Sequence, residues 1–535
     1  MTSQNVTVFN WLLAISPILV VLILMVGLRW GGAKAGPVGW LVATLVSILF
    51  FGAGPTLLAY SQMNALLLTL YVLYIIWMAL VLYNVVNEAG SIKVIGQGVV
   101  SLTKDRVLQL LALGWVFSSF LQGVSGFGVP TAVVAPLLIG LGFSPITSVV
   151  AATAGHSWSV TFGSIGASFN ALIAVSGLSG HVLAPWSAAL LGIACFGCGI
   201  TVAFSYEGLK SVRQSALIIL VIGTIMAGTQ YIMAISGLWN LAGFFAGMVG
   251  LAASVLVSKW TEQRRRTTLA QAPAPAQASA ADPSTDSDPK PMSLWMAVAP
   301  YALLVVIVSL AELVTPIHAF LNQVQVNAAF PATQTSLGWV NEAGKGKAIS
   351  LFGHAGALLA YASLLSYALY HFTGHYKPGA LSRILSNAVK SAVSSSIGIA
   401  SMVGFAIVME MSGMVNLLAI GLSRTVESAF PFLAPFIGML GAFMTGSNTN
   451  SNVVFGGLQQ QTAQILNLPV ALILAAQTTG GSIGGMLAPA KIIVGCSTAG
   501  LAGKEGQVLR YTILYGTILV AVIGALTWVA CQWLQ

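Results

Sequence analysis

Charge is the scarcest commodity in this 535-residue chain: 6% of its residues are Asp, Glu, Lys or Arg, against about 25% in soluble proteins. That shortage, with 57% apolar residues, excludes a soluble globular fold. Cysteine is nearly absent too, and four residues build no disulfide framework. Cys195 and Cys198 form a C-x-x-C inside an apolar helix, with no histidine or second cysteine pair nearby. They read as small buried thiols rather than a redox or metal pair. There is no H-E-x-x-H, no P-loop and no G-x-S-x-G with a plausible triad. Nothing here supports an enzyme, an intramembrane hydrolase being a remote alternative; an ATP-driven pump is excluded, and no cofactor or metal site is expected. No lysine or arginine precedes Arg29, so the basic start of a cleaved signal peptide is lacking.

What is present is hydrocarbon-length apolar sequence, with a mean hydropathy of +0.90. Many stretches reach the about 20 residues needed to cross the bilayer core. The net charge of +9 does not point to nucleic acid, because the basic residues fall in short loops between spans. Arg29 and Lys34 follow the first span at about 11–28. Lys93, Lys104 and Arg106 follow the third. The positive-inside rule then puts the N-terminus outside a plasma membrane and these loops in the cytoplasm.

Residues 267–292, TTLAQAPAPAQASAADPSTDSDPKPM, are a different polymer, unable to bury a core. They divide the chain into a first repeat at 1–258, a cytoplasmic linker at 259–292 and a second repeat at 293–535. The second half starts from the cytoplasm and the first from outside, as inverted-topology repeats require. The polar stretch 315–349 is expected as an external loop. The fold class is an all-α polytopic membrane protein with re-entrant or broken helical hairpins.

Two interruptions carry the functional reading. TGSNTNSNVVFGGLQQQTAQ, 445–464, is crowded with side-chain hydrogen-bonding groups and glycine inside an apolar half. GVSGFGVPTAVVAP, 123–136, breaks an apolar helix in the first half. Such backbone is tolerated at membrane depth only where protein buries it or it lines a wet cavity. Interrupted segments in both halves point to a transporter's binding site. Broken helices present free N–H groups and the positive end of a helix dipole, which suits a carboxylate. Candidate ligands are Ser125, Gly126, Gly128, Ser447, Asn448, Thr449, Asn450 and Lys491. Titratable groups in spans are functional candidates in their own right, here His156 and Glu410. A passive anion channel is the competing class, favoured by a continuous pore rather than paired broken helices.

GVSGFGVP, TGSNTNSN, the QTTGGSIGGMLAP passage at 477–489 and LAGKEGQVLRYT at 501–512 together resemble the lactate permease family. The resemblance implies a secondary transporter of lactate or glycolate with proton symport and alternating access. Its partners would be a small organic anion, H+ or Na+ as coupling ion, and the lipid bilayer of a bacterial or archaeal inner membrane, with homo-oligomerisation left open. A more distant similarity to ion transporters with Ser-Asn-Thr hairpin tips implies a carboxylate site at Ser447-Asn448-Thr449. The chain departs from the family pattern at Gln122 and Asn448, where relatives commonly carry acids, and at His156 and Lys491. Those departures make Gln122, His156 and Glu410 the residues to examine for ion coupling, with sodium coupling to another organic anion as the alternative.

Overall fold

In the computed structural model the described residues are 7–28, 30–100, 103, 105–125, 128–268, 292–501 and 504–534. They are overwhelmingly helical, as expected of backbone that must satisfy its own hydrogen bonds in hydrocarbon. Among them, thirteen helices are long and apolar enough to cross a membrane, or fourteen if one bent pair counts as a single span. The all-α polytopic class is thus borne out. Gly126 and residues 269–291 lie outside the described residues, so Gly126 and most of the expected linker are not described.

The chain opens with α1 (Val8–Leu22), α2 (Gly32–Phe51) and α3 (Pro55–Glu88). At 34 residues α3 is about 51 Å long, well beyond the hydrocarbon thickness, so it tilts or projects from the bilayer core. The short α4 (Ser91–Val100) leads to α5 (Arg106–Leu111) and α6 (Ser118–Val124), one rod joined by a π turn. The first interruption follows, and α7 (Val129–Gly140) turns back from it. Next come α8 (Pro145–Gly155) and α9 (Gly163–Ser176), bent by 50° across their break. Helices α10 (Gly180–Glu207), α11 (Leu209–Ile235) and α12 (Trp239–Thr268) close the first half. Because α12 runs to Thr268, residues 259–268 of the expected linker are helical.

The second half holds α13 (Leu294–Leu313), α14 (Thr315–Leu321), α15 (Ala355–Phe372), α16 (Ala380–Met411) and the amphipathic α17 (Met414–Val426). A second hairpin, α18 (Phe430–Thr445) and α19 (Asn448–Ile465), turns at Gly446-Ser447. A second broken helix follows, α20 (Val470–Gly484) and α21 (Pro489–Thr498), before the last span, α22 (Glu505–Leu534). A hairpin followed by a broken helix therefore occurs once in each half. The crossing of α18 and α20 is set by glycine. A Cβ on Gly480 would lie 1.8 Å from the Pro435 carbonyl oxygen, and one on Gly438 2.0 Å from that of Gln477.

The 315–349 stretch is not a plain loop. It contains α14 and a β-hairpin of three nested antiparallel ladders, from Gln325–Val326 with Ile349–Ser350 up to Thr333–Gln334 with Val340–Asn341. Its two-residue strands are too short for period-2 patterning to show in the sequence. The hairpin lies over helix ends: the Ser336 N–H donates to Gly52 O (2.9 Å) and Asn341 Nδ2 to Met411 O (2.8 Å). At its base Lys347 sits over the Tyr71 ring, and His354 packs against Tyr71 and Tyr74. Burial, and then the Lys347 charge, push His354 down from 6.5 to about 4. A lowered histidine stabilises the fold fully above its ordinary value and loses that contribution as pH falls through the window from 6.5 to about 4. Protection factors for amide hydrogen exchange of residues 325–350 should fall as pH drops through that window, and His354→Phe should flatten the dependence. An unchanged profile in that variant would contradict the assignment.

Candidate functional site

The two hairpins meet where four helices begin. Their N-termini, at Gly31-Gly32 of α2, Gly128 of α7, Ser447 of α19 and Ala490-Lys491 of α21, line one cavity of about 470 Å³. The end of α18 and the middle of α16 complete it. Each N-terminus presents unsatisfied N–H groups and about half a positive charge. Lys34 and Lys491 also line the cavity, and among the described residues its lining has no Asp or Glu. The chemistry of such a cavity is that of an anion site.

Local folding explains the tip. Gly446 takes φ +72°, a left-handed conformation that ends α18. The Ser447 side chain then caps α19 by accepting from the Asn450 N–H (3.3 Å), and Thr445 Oγ1 donates to Ser447 O (3.0 Å). Asn450, 5% exposed, lines the cavity with its Oδ1 unpartnered within the protein. Lys491, 8% exposed, makes no ion pair among the described residues. Gly485 makes room for it, since a Cβ there would lie 2.9 Å from Nζ.

The other polar residues of the tip face the opposite way, into a buried network that ties the halves together. Asn448 Nδ2 donates to Thr161 Oγ1 (3.0 Å) and Thr478 Oγ1 (3.3 Å). Thr161 and Thr478 bond each other through their hydroxyls (3.1 Å). Thr449 pairs with Ser168 (3.0 Å), and Asn452 donates to Ser168 O (3.0 Å) and Thr478 Oγ1 (2.9 Å). Behind them Gln459 donates to Gln477, and Gln477 to Ser451. Much of the Asn and Gln load of 445–464 is thus an interlock between helices rather than a lining. Opposite it, Ser164 and Ile165 hold φ of +48° and +54° at the start of α9. Left-handed backbone costs non-glycine residues about 1–2 kcal/mol each, and such strain gathers at functional sites.

Of the candidate ligands, Gly128, Ser447, Asn450 and Lys491 are brought together around the cavity. Asn448 and Thr449 lie in the interlock, and Ser125 donates to Leu121 O (3.0 Å) on its own helix. Gln122 is buried against Gly163, its Oε1 unpartnered. His156 donates from Nδ1 to Ala152 O (2.7 Å), which leaves its buried Nε2 without a partner. Ser118, one turn before Gln122 on the same face of α6, touches the His156 ring at 3.3 Å. Glu410 is not at the cavity. It lies eleven residues beyond the cavity-lining Ile399 on α16, about 16 Å along the helix. Sequence reasoning missed Lys34, Trp30 and Ser395 of the lining, and Thr161, Ser168 and Thr478 of the interlock. The last three stand in or beside the Gly-rich passages that mark the breaks, which was the available signal.

The family profile described as L-lactate permease matches residues 10–533. The chain belongs to the L-lactate permease family. Relatives include the L-lactate permease of Salmonella typhimurium, 27% identical and covering 96% of this chain and 95% of that one. The glycolate permease GlcA of Escherichia coli is 28% identical, with 96% and 94% covered. The L-lactate permease of Bacillus subtilis is 27% identical, with 93% and 92% covered. These relatives are permeases, in keeping with the absence of enzyme motifs in this family member. Among solved structures, the YdaH transporter of Alcanivorax borkumensis is similar with a TM-score of 0.45 at 18% identity, over 85% of this chain and 84% of that one.

The interlock and the lining separate by experiment. Asn448→Ala leaves Thr161 and Thr478 short of a partner and should cost about 1–3 kcal/mol, read as a lower melting temperature of the purified protein. Asn450→Ala removes an unpartnered group and should leave that temperature unchanged. The reverse pattern would contradict the division.

Proposed function

We propose that this chain is a secondary transporter of a small monocarboxylate of the L-lactate or glycolate class, working by proton symport and alternating access in a plasma membrane. The single observation that carries the reading is the cavity: four helix N-termini and two lysines, no acid among the described lining residues, at the meeting point of the two hairpins. A 2-hydroxy acid is an anion with an adjacent hydroxyl. Free N–H groups and Lys491 offset its charge, while Ser447 and Asn450 hydrogen-bond the hydroxyl. The printed names of the relatives, L-lactate and glycolate permeases, support this substrate class.

The halves act as inverted repeats, 1–258 and 293–535, joined by a cytoplasmic linker. Each half supplies a hairpin and a broken helix; Gly128 of the first hairpin, the tip of the second and α21 line the site together with α2 and α16, which suits rigid-body exchange of access around it. The N-terminus lies outside. The Arg383–Glu88 ion pair (2.7 Å) and the Tyr376 bond to Val85 O (3.0 Å) gather the end of α3 and the start of α16 where Lys93, Lys377 and Lys390 also stand. That basic concentration supports a cytoplasmic face. His156 and Gln122, close to each other beside the break of the first half, carry the coupling in place of Glu410, which stands too far off.

Sodium coupling is the second reading. It is favoured by the unpartnered buried oxygens of Gln122, Asn448 and Asn452, since amide oxygens coordinate a small cation. Proteoliposome uptake of labelled L-lactate under an inward pH gradient or an inward sodium gradient separates the two. We expect proton-driven uptake, lowered at least about tenfold by Lys491→Gln or Asn450→Ala, as befits loss of a buried charge or ligand contact. Normal uptake by Lys491→Gln would contradict the proposed site, and uptake driven by sodium alone would replace proton coupling.

A further inference from the structure

We propose that Lys34, with Trp30 and the N-terminus of α2, forms a second anion subsite at the mouth of the cavity, one that takes the carboxylate of a small organic anion on its way to or from Lys491. The proposal rests on reading the cavity as a carboxylate site, and it adds a residue, a place and an order of contact to that reading.

The two lysines belong to different parts of the fold. Lys491 is buried in the first turn of α21, at the break of the second half. Lys34 is solvent-exposed in the first turn of α2, yet it lines the same cavity. It makes no ion pair among the described residues, so its charge is not spent on a carboxylate of the protein. The Gly32 and Ala33 backbone beside it adds helix N–H groups to the same wall.

The position of Lys34 is fixed by packing. Helix α2 is pressed onto α16 through small residues: a Cβ on Gly36 would lie 2.3 Å from Ser401 Oγ, and one on Gly398 3.4 Å from the Gly32 backbone. Lys34 therefore moves with α2 and α16, which contribute Ser395 and Gly398 to the lining. Lys491, Ser447 and Asn450 move with the hairpin and broken helix of the second half. The unpartnered Asn450 Oδ1, 5% exposed, marks the inner end of the cavity as a place built to receive a polar ligand. An anion that enters by the mouth meets the exposed lysine first and the buried one second. On the orientation proposed above, that mouth opens to the cytoplasm.

Two measurements on the full chain test this. The first needs no knowledge of the substrate. Ser395→Cys places a thiol on the α16 wall of the cavity that Lys34 also lines, and the four native cysteines are buried. Its reaction rates with an anionic and a cationic methanethiosulfonate are compared with and without Lys34→Gln. The anionic preference should fall about fivefold when the lysine is removed, as for one partly exposed charge. The second is the KM for L-lactate measured separately from each side, in right-side-out and inverted vesicles. Lys34→Gln should raise the cytoplasmic KM about fivefold, leave the external KM within about twofold, and be rescued by Lys34→Arg. An unchanged reagent preference, or equal effects on both sides, would overturn the subsite. Failure of the parent protein to carry L-lactate, with the reagent preference still dependent on Lys34, would remove the substrate reading and leave the anion subsite standing.

Discussion

Interrupting a helix inside a membrane frees backbone N–H and C=O groups that hydrocarbon cannot satisfy, and the centre of this protein is an answer to that constraint. Where α6 ends at Val124 and α7 begins at Val129, and at the breaks around 156–163, 446–447 and 485–488, the chain surrenders helical hydrogen bonds. The freed groups are disposed of in two ways. Some are met by side chains of other helices, as where Ser482 donates to Ser157 O and Asn452 to Ser168 O, beside the buried network of Asn448, Thr161 and Thr478. Others are left at helix N-termini around a cavity, where an anion can take them up. The first set makes it possible for the second to remain unsatisfied, because the interlock fixes the tips that present the free groups.

Helix α19 shows how one short run does both. Ser447 and Asn450 are three residues apart and share the cavity side. Asn448 and Asn452 are four apart and share the interlock side. The tip therefore separates ligand from lock by helical periodicity alone. Much of this was legible in the sequence: the two interruptions, the polytopic class, and Gly128, Ser447, Asn450 and Lys491 as lining. What was not legible is direction. The residue types of Asn448 and Asn450 are identical, and only the start of the helix at Asn448 decides which faces the cavity. Ser125 was a plausible ligand by type, yet its hydroxyl returns to its own helix. Lys34 read as a topological marker because a loop lysine carries no trace of the cavity its helix will border. The 325–350 hairpin was hidden by its two-residue strands.

Scarcity of charge gives the site its sign. At the cavity an exposed lysine, Lys34, and a buried one, Lys491, stand with no opposing acid among the described residues. The acid that a sequence reader would assign to coupling, Glu410, belongs to the far end of α16, beside the turn that the hairpin covers. Gln122, by contrast, packs against Gly163 and His156 caps the end of α8, both at the break between α8 and α9 and both with a buried atom lacking a protein partner. On the proposed reading, a site built from helix dipoles and lysine side chains discriminates by charge before it discriminates by shape.

The most direct test of this account is equilibrium binding of L-lactate and of its neutral isostere lactamide to the purified protein, by isothermal titration calorimetry. The two ligands differ in charge at nearly constant shape. If the helix N-termini and lysines make an anion site, lactate binds, its affinity falls with rising salt, and lactamide does not bind measurably. Equal binding of the two, or lactate binding indifferent to salt, would contradict the central claim.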